Sequence, residues 1–344
     1  MAEDELADSS GEELFEHFRF IIDPGQTPVR IDKFLFERIP NTSRNKIQLA
    51  AKGGFIRVGG QSVKSNYKIR SEDVLTVELP YPIRDIELKS EYIPLDIVYE
   101  DDEIIVINKQ ANMVVHPGYG NYTGTLVNGL VYHFKSLPVA EGNQYDRPGI
   151  VHRLDKHTTG VMVVGKTEEA LMGLGKQFFD RTTTRRYRAL VWGDLEEGGT
   201  VTGHIGRSLK NRRVMNIFED GDYGKHAVTH FSVIKRYGYV TLVECRLETG
   251  RTHQIRAHMK HIGHPLFNDY DYGGNKILKG TSFTKYRQFV ENCFKLLPGQ
   301  ALHAKSLGLT HPKTGEWMEF ESDLPQGFQE ILAKWEHYLQ YRKD

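Results

Sequence analysis

The sequence predicts an α+β protein in which a small basic module precedes a larger domain built on a mixed, largely antiparallel sheet. One basis for this is segregated charge: residues 30–70 hold ten Lys or Arg against two acids, and residues 71–103 hold eleven acids against two basic residues. A second is that short apolar segments typical of strands are interspersed with segments of helical period. Hairpin turns and long irregular connections join them, which is typical of a mixed, largely antiparallel α+β domain.

Residues 28–80 have the pattern of a compact module with two short helices and a few strands. Apolar residues at helical spacing follow Arg30, and Ser43 can cap a second helix. The pair Gly59-Gly60 between two short apolar segments indicates a hairpin, and residues 74–77 read as a further strand. This concentration of positive charge predicts a surface for a polyanion, although charged residues can also simply solvate a surface.

The rest of the chain divides around this module. Residues 1–16 carry seven acids and no Lys or Arg, so residues 1–20 are predicted to be a disordered acidic tail. Pro80 and Pro82 indicate a linker. Residues 90–335 are predicted to form the larger domain, with a buried strand at 161–164 and a helix within 125–134.

Composition excludes several classes of protein. Hydrophobic residues at 39% and charged residues at 26% are ordinary for a globular domain. No run approaches the ~20 apolar residues of a membrane span, and the acidic amino terminus does not resemble a secretory signal. Two cysteines are too few for a disulfide framework or a zinc cage. The expectation is a reduced cytoplasmic protein with no membrane partner.

The densest group of reactive side chains is the segment HRLDKHTTG at residues 152–160, which leads into the buried strand. Its carboxylate, Asp155, lies between Arg153 and Lys156. Nearby cations lower the pKa of a carboxyl group, so Asp155 should stay ionised. An ionised aspartate in a cleft can act as a nucleophile or a base. A local salt bridge is the alternative that the residues alone leave open.

Two further segments carry candidate residues. In LETGRTHQIRAH, residues 247–258, a helix beginning near Thr252 would place Arg256 on its polar face, where it could pair with a carboxylate or phosphate. A surface arginine is the alternative. In RRYRALV, residues 185–191, strand alternation puts Tyr187 and Ala189 on one side. Tyr187 could stack on a base or belong to an ordinary core.

Taken together, HRLDKHTTG before an apolar strand, RRYRALV and LETGRTHQIRAH, in this order, resemble the RluA family of pseudouridine synthases. The stretches HPGYGN, AVTHF, GHPL and ALHA also look like that family, and the resemblance is greatest to its RluD-like ribosomal RNA branch. Residues 28–80 are similar to an S4 RNA-binding domain, which members of that branch carry. Thr159 stands where many members have serine, so the hydroxyl is kept.

The resemblance implies a role for each matching residue. Asp155 would be the catalytic aspartate, Arg256 the arginine that pairs with it, and Tyr187 the ring that stacks on the extruded base. Arg153 would help displace that base from the RNA helix. In the S4-like module the expected RNA-binding residues are Arg30, Arg44, Lys46 and Arg57.

The implied reaction breaks the N1–C1′ bond of a uridine and rejoins the base through C5. No group transfer or redox change occurs, so no cofactor is expected. Asp155 would either attack C1′ or remove the C2′ proton, and the sequence leaves both routes open. The expected partners are structured RNA, with ribosomal RNA favoured over transfer RNA, and pre-ribosomal particles, bound by a monomer.

The residues argue against two rival functions and against a metal site. A glycoside hydrolase normally uses two carboxylates, and Asp155 is the only acid in the reactive core of the three motifs. A binding protein with an inert catalytic fold would be expected to lack Asp155, Tyr187 or Arg256, and all three are present. Four histidines lie between residues 253 and 264 without any Cys, Asp or Glu among them, so no metal is predicted.

Overall fold

A computed structural model of the protein describes residues 14–39, 42–80, 88–118, 120–134, 137–138, 148–208, 210–211, 213–219, 221 and 223–341. The described residues fall into two compact units, one formed by residues 14–80 and the other by residues 88–341. No helix of the described chain is both long and apolar enough to cross a bilayer.

The first unit contains a four-stranded antiparallel sheet and two helices. Its elements are β1 (Phe15–Ile21), α1 (Ile31–Arg38), α2 (Arg44–Lys52), β2 (Ile56–Val58), β3 (Gln61–Ser62) and β4 (Val74–Leu79). The strand order is β1-β4-β2-β3. The Ser43 side chain accepts a hydrogen bond from the Lys46 amide and so caps α2, as predicted. Apolar residues of both helices and of β4, among them Ile31, Leu35 and Leu75, are fully buried and form the core.

The predicted disordered tail is wrong at its carboxyl end. Residues 1–13 lie outside the described part of the chain, but residues 15–20 belong to β1, which pairs with β4 from Phe15 opposite Leu79 to Ile21 opposite Val74. Phe18 and Phe20 pack against the core of the unit. Acidic composition was the wrong guide here, because three phenylalanines within six residues supply enough apolar surface to fix a strand against an open sheet edge.

The second unit is built on a ten-stranded sheet. Its strands are β5 (Ile97–Glu100), β6 (Ile104–Lys109), β7 (Thr159–Gly165), β8 (Thr184–Trp192), β9 (Gly199–Arg207), β10 (Met215–Phe218), β11 (Lys225–Arg236), β12 (Val240–Leu247), β13 (Leu302–Thr310) and β14 (Trp317–Glu321). Its helices are α3 (Leu126–His133), α4 (Glu168–Asp180), α5 (Gln254–His261), α6 (Thr284–Phe294) and α7 (Gln326–Tyr341).

The strand order is β10-β9-β11-β12-β8-β13-β7-β6-β5, with β14 added to β13. Only the β13–β7 pair is parallel among the described strands. The predicted α+β class with a mixed, largely antiparallel sheet is therefore confirmed. The predicted end of this domain at residue 335 falls inside α7, which continues to Tyr341 because Trp335 is fully buried against the sheet and anchors the helix.

One glycine of the HRLDKHTTG segment permits the parallel pairing that positions the loop carrying Asp155. Gly160 has a φ of 111°, and a Cβ atom at this position would lie 2.2 Å from the carbonyl oxygen of Ala304 on β13. Any side chain would push the two strands apart. The close approach brings the start of β7, and the loop before it, directly beside β13, which pairs with β8 along its other edge.

Candidate active site

Asp155 lies in the loop before β7, and this loop is fastened to the sheet at several points. The Leu154 side chain is buried in the core below the loop. The Thr158 amide donates to the Asp155 carbonyl at 3.0 Å, and the Thr158 hydroxyl accepts from the Gln300 amide group at 3.1 Å. The Asp155 side chain is 17% exposed, so it sits in a cleft and still reaches solvent.

Arg256 on α5 pairs with Asp155, as the resemblance implies, but its surroundings differ from those expected. It was predicted on a polar helix face, whereas its side chain is only 4% exposed. Its Nη1 donates to Asp155 at 3.1 Å, while Nε and Nη2 donate to Asp269 at 2.7 and 2.8 Å. Nη2 also donates to Asp271 at 2.7 Å. A buried guanidinium needs such partners, because an unpaired buried charge is strongly destabilising.

Asp269 and Asp271 are site residues that sequence reasoning missed. They follow Asn268, which has a left-handed φ of 62° and turns the chain back toward α5. The two carboxylates lie outside the three motifs in which Asp155 was the only acid considered, yet they bind the same guanidinium as Asp155. Both are bound to Arg256, and neither contributes to the lining of the cleft that holds Asp155. The alternation Asp-Tyr-Asp after GHPL was the available signal.

Electrostatics in the cleft favour an ionised Asp155. Burial by itself would raise the pKa of this carboxyl group, but the charges of His253 and Arg256, the Arg256 hydrogen bond and the charge of Arg153 together hold it below its usual range. Burial lowers the pKa of His253, whose Nε2 lies 3.8 Å from Asp155. His253 therefore contributes its charge only when it is protonated, at lower pH, whereas Arg153 and Arg256 are permanent cations near Asp155.

Tyr187 forms part of the wall of the same cleft. It lies on β8 and is 8% exposed, with its ring packed into the apolar cluster that includes Leu154, Leu247 and Ile255. Burial raises the pKa of the Tyr187 hydroxyl, so it stays protonated. Arg153 is exposed at the cleft. The four residues predicted for catalysis or base displacement, Arg153, Asp155, Tyr187 and Arg256, therefore line one cleft.

Lys109 at the end of β6 is a second residue that sequence reasoning missed. It is 1% exposed, and its Nζ donates to the carbonyls of Gln110, Met113 and Lys156 at 2.8, 2.9 and 3.2 Å. Burial lowers the pKa of Lys109, while Asp155 acts in the opposite direction. This lysine ties the loop that carries Asp155 to the neighbouring strand, a role that a lysine next to an apolar strand does not reveal in the sequence.

The four expected RNA-binding residues of the first unit differ in their surroundings. Arg30 and Arg44 both bind the fully buried carboxylate of Asp32 at 3.0 Å, which holds the pKa of that carboxyl far below its usual range. Arg57 lies 3.3 Å from a carboxylate oxygen of Glu78. Lys46 has no carboxylate partner among the described residues. Arg30 and Arg44 are about half exposed, so they combine an internal ion pair with a solvent-facing guanidinium.

The four histidines between residues 253 and 264 do not converge on one point. His258 is buried and hydrogen-bonded to the Thr229 hydroxyl at 2.9 Å, and burial lowers its pKa to about 4. His264 bonds the Trp192 carbonyl at 2.8 Å, and His261 faces Glu219. Within the described ranges no group of three or more Cys, His, Asp or Glu side chains is arranged to hold a metal.

Comparison with known proteins agrees with this geometry. Residues 103–261 match the sequence model for RNA pseudouridylate synthase, and residues 29–75 match the S4 domain. An uncharacterized RNA pseudouridine synthase of Chlorobaculum parvum is 43% identical over 311 residues, covering 90% of this chain and 94% of that protein. The ribosomal large subunit pseudouridine synthase D of Zymomonas mobilis is 42% identical over 307 residues, covering 87% and 92%.

A solved structure supports the fold independently. The human protein RNA Pseudouridylate Synthase Domain Containing 4 superposes with a TM-score of 0.52 at 24% identity, covering 70% of this chain and 92% of that one. The chain thus belongs to the family of RNA pseudouridylate synthases and carries an S4 domain near its amino end. It is an RNA pseudouridine synthase, an isomerase that converts uridine in RNA to pseudouridine. The predicted family, enzyme class and S4 domain are confirmed.

Proposed function

We propose that this enzyme isomerises specific uridines of large-subunit ribosomal RNA, with Asp155 as its catalytic carboxylate. The substrate is inferred from a relative named ribosomal large subunit pseudouridine synthase D, which is 42% identical to this chain over 92% of the relative's length. The observation that carries the residue is the pairing of the half-buried Asp155 with Arg256, which keeps a carboxylate ionised inside a cleft.

In this proposal each cleft residue has one task. The target uridine leaves the RNA helix, and Arg153 takes its place in the stack. The base enters the cleft and stacks on the ring of Tyr187, which offsets part of the unstacking cost. Asp155 attacks C1′ or removes the C2′ proton, and either route breaks the N1–C1′ bond. After the uracil turns, C5 bonds to C1′. This step breaks the Asp155–C1′ bond in the first route, and in the second route the proton held by Asp155 returns to C2′. The C5 proton then leaves and N1 is protonated, so no atoms are gained or lost overall.

The same proposal assigns RNA binding and catalysis to different parts of the chain. Residues 28–80 would dock the RNA backbone through Arg30, Arg44, Lys46 and Arg57, and residues from 90 through α7 would carry the chemistry. The enzyme would act in the cytoplasm as a monomer on ribosomal RNA, free or within pre-ribosomal particles. Sedimentation of the purified protein with and without RNA tests the monomer.

The substrate is tested by mapping pseudouridine in ribosomal and transfer RNA from cells with and without the gene. We expect a small number of large-subunit positions to lose pseudouridine in the deletion strain and to regain it with the wild-type gene. Transfer RNA from the same cells serves as the internal control. Loss confined to transfer RNA would refute the ribosomal substrate while leaving the enzyme class intact.

A further inference from the structure

Arg185 is a buried arginine that the catalytic scheme does not use. It lies two residues before Tyr187 on β8, and so on the same face of the strand, and it is only 7% exposed. Its Nη2 donates to the backbone carbonyl of Glu248 at 3.3 Å, and its guanidinium lies 5.7 Å from the centre of the Phe178 ring. Its Nε has no hydrogen-bond partner in the part of the chain that the structure describes.

This guanidinium lacks a counterion among the described residues. The carboxylate of Glu248 is turned to His230, with which it pairs at 2.7 Å. By contrast, the buried guanidinium of Arg256 has three carboxylates as counterions. An arginine does not lose its proton in a protein, so a buried and unpaired one is costly. Such a cost is expected where a ligand completes the site.

Two more arginines add positive charge around Arg185. Arg181 is exposed and ends α4 in a left-handed conformation, with a φ of 62°. Arg251 contributes to the lining of the Asp155 cleft, and its Nε donates to the His226 carbonyl at 3.1 Å. Burial lowers the pKa of both Arg185 and Arg251, and the charge of Arg181 lowers each further. Arg181 thus repels both Arg185 and Arg251, so an anion placed near these cations would be stabilised.

A glycine next to the Arg185 guanidinium leaves one side of it without a covering side chain. Gly250 is exposed, and a Cβ atom built on it would lie 2.8 Å from Nη1 of Arg185. The backbone of Gly250 does not have a positive φ, so space and not conformation explains the absence of a side chain here. Nη1 is therefore covered by backbone alone on this side, beside solvent.

We propose that Arg185, with Arg181 and Arg251, forms a binding site for one backbone phosphate of the RNA next to the target uridine. The proposal rests on the pseudouridine synthase activity and names a contact that positions its substrate. Residues two apart on a strand are separated by about 6.6 Å, so Arg185 lies within one nucleotide of the ring that would stack on the extruded base. Arginine suits this role because its planar fork matches phosphate geometry.

The test measures RNA affinity as a function of salt for Arg185→Met, Arg185→Lys and the wild-type enzyme. The RNA is an in vitro transcript of large-subunit ribosomal RNA, and the same proteins are assayed for pseudouridine formation. Arg188→Gln is the matched control, because Arg188 lies on the opposite face of β8 and already pairs with Glu244 at 2.5 Å. Thermal unfolding of each variant is recorded alongside.

We expect Arg185→Met to weaken RNA binding about 10- to 100-fold, as befits one charged hydrogen-bonded contact. The slope of log affinity against log salt should fall by about 0.7 to 0.9, the value of one phosphate contact. Arg185→Lys should keep the slope and lose part of the affinity. Arg188→Gln should match the wild-type slope. If Arg185→Met keeps that slope and only lowers the unfolding temperature, Arg185 is structural and the proposal is overturned.

Gly250→Ala gives a test that keeps every charge. The added methyl group displaces the Arg185 guanidinium, so RNA binding should weaken while net charge is unchanged. Wild-type affinity in this variant would contradict the site even if Arg185→Met failed to fold. The two proposals fail separately. A wild-type enzyme that makes no pseudouridine either in the free transcript or in pre-ribosomal particles refutes the ribosomal substrate, whereas the change in salt slope on RNA still decides the phosphate site.

Discussion

Replacing Asp155 with asparagine separates folding from catalysis, and the contacts of Arg256 set the expected size of each effect. Asparagine is nearly isosteric with aspartate. Arg256 would keep its two bonds to Asp269 and its bond to Asp271, so no buried cation is left unpaired. The bond between two charged groups becomes a bond from the charged guanidinium to a neutral amide oxygen. Because hydrogen bonds to a charged group are still worth about 1.5–3 kcal/mol, only part of the stabilisation is lost. Relief of repulsion among three carboxylates offsets part of that loss, so we expect a change of about 1 kcal/mol or less in the free energy of unfolding.

Turnover should respond quite differently. An asparagine amide is neither a nucleophile nor an effective base, and loss of such a group costs roughly 10⁴-fold or more in kcat. RNA affinity should stay equal or rise, because one negative charge leaves a cleft that faces a polyanion. The assay is tritium release from C5-labelled RNA, run beside a binding titration and a denaturant titration with the same preparation.

Asp271→Asn is the control for Asp155→Asn. It makes the same isosteric change to another carboxylate on the same guanidinium, yet Asp271 is absent from the cleft lining. It should reduce turnover far less than Asp155→Asn. Turnover above about one per cent of wild type in a folded Asp155→Asn enzyme would remove Asp155 from the mechanism, as would equal losses in the two variants.

Three further outcomes follow from the same contacts. Tyr187→Phe should bind RNA as the wild type does, whereas Tyr187→Ala should lose about 1–3 kcal/mol of stacking in a binding titration; equal affinities would make the ring purely structural. Arg256→Gln leaves three carboxylates without their cation, so denaturant unfolding should show a loss of about 3–5 kcal/mol. Because removing a cation raises the pKa of Asp155, the acid limb of kcat/KM should also move to higher pH in that variant, and an unmoved limb would contradict the pairing. Lys46→Ala should lower the salt slope of RNA binding by about 0.7 to 0.9 without changing the unfolding temperature, whereas Arg44→Ala should lower both, since it also takes a partner from a buried carboxylate.

Local patterns in the sequence predict where several helices begin. Ser43, Thr125 and Thr167 each cap the helix that follows, because a hydroxyl before an apolar helical stripe satisfies a free amide wherever it occurs. The prediction of a disordered tail through residue 20 was wrong, because it gave the acidic charge more weight than the phenylalanines of β1. Whether a short apolar segment becomes a strand depends on an open sheet edge, and that edge belongs to β4, more than fifty residues away along the chain.

The sequence by itself determined the α+β class and the order of the motifs, because these depend on residue type and short-range spacing. Asp155, Tyr187 and Arg256 became candidates through the family resemblance that those motifs carry. Only the tertiary structure decided what surrounds them. Asp155 and Arg256 are 101 residues apart and meet because β13 inserts in parallel beside β7. The same packing buries Arg256 among three carboxylates and leaves Arg185 with none from the residues that the structure describes. Periodicity indicates which face of a strand or helix is covered, but the counterion of a buried charge depends on which distant segment covers it.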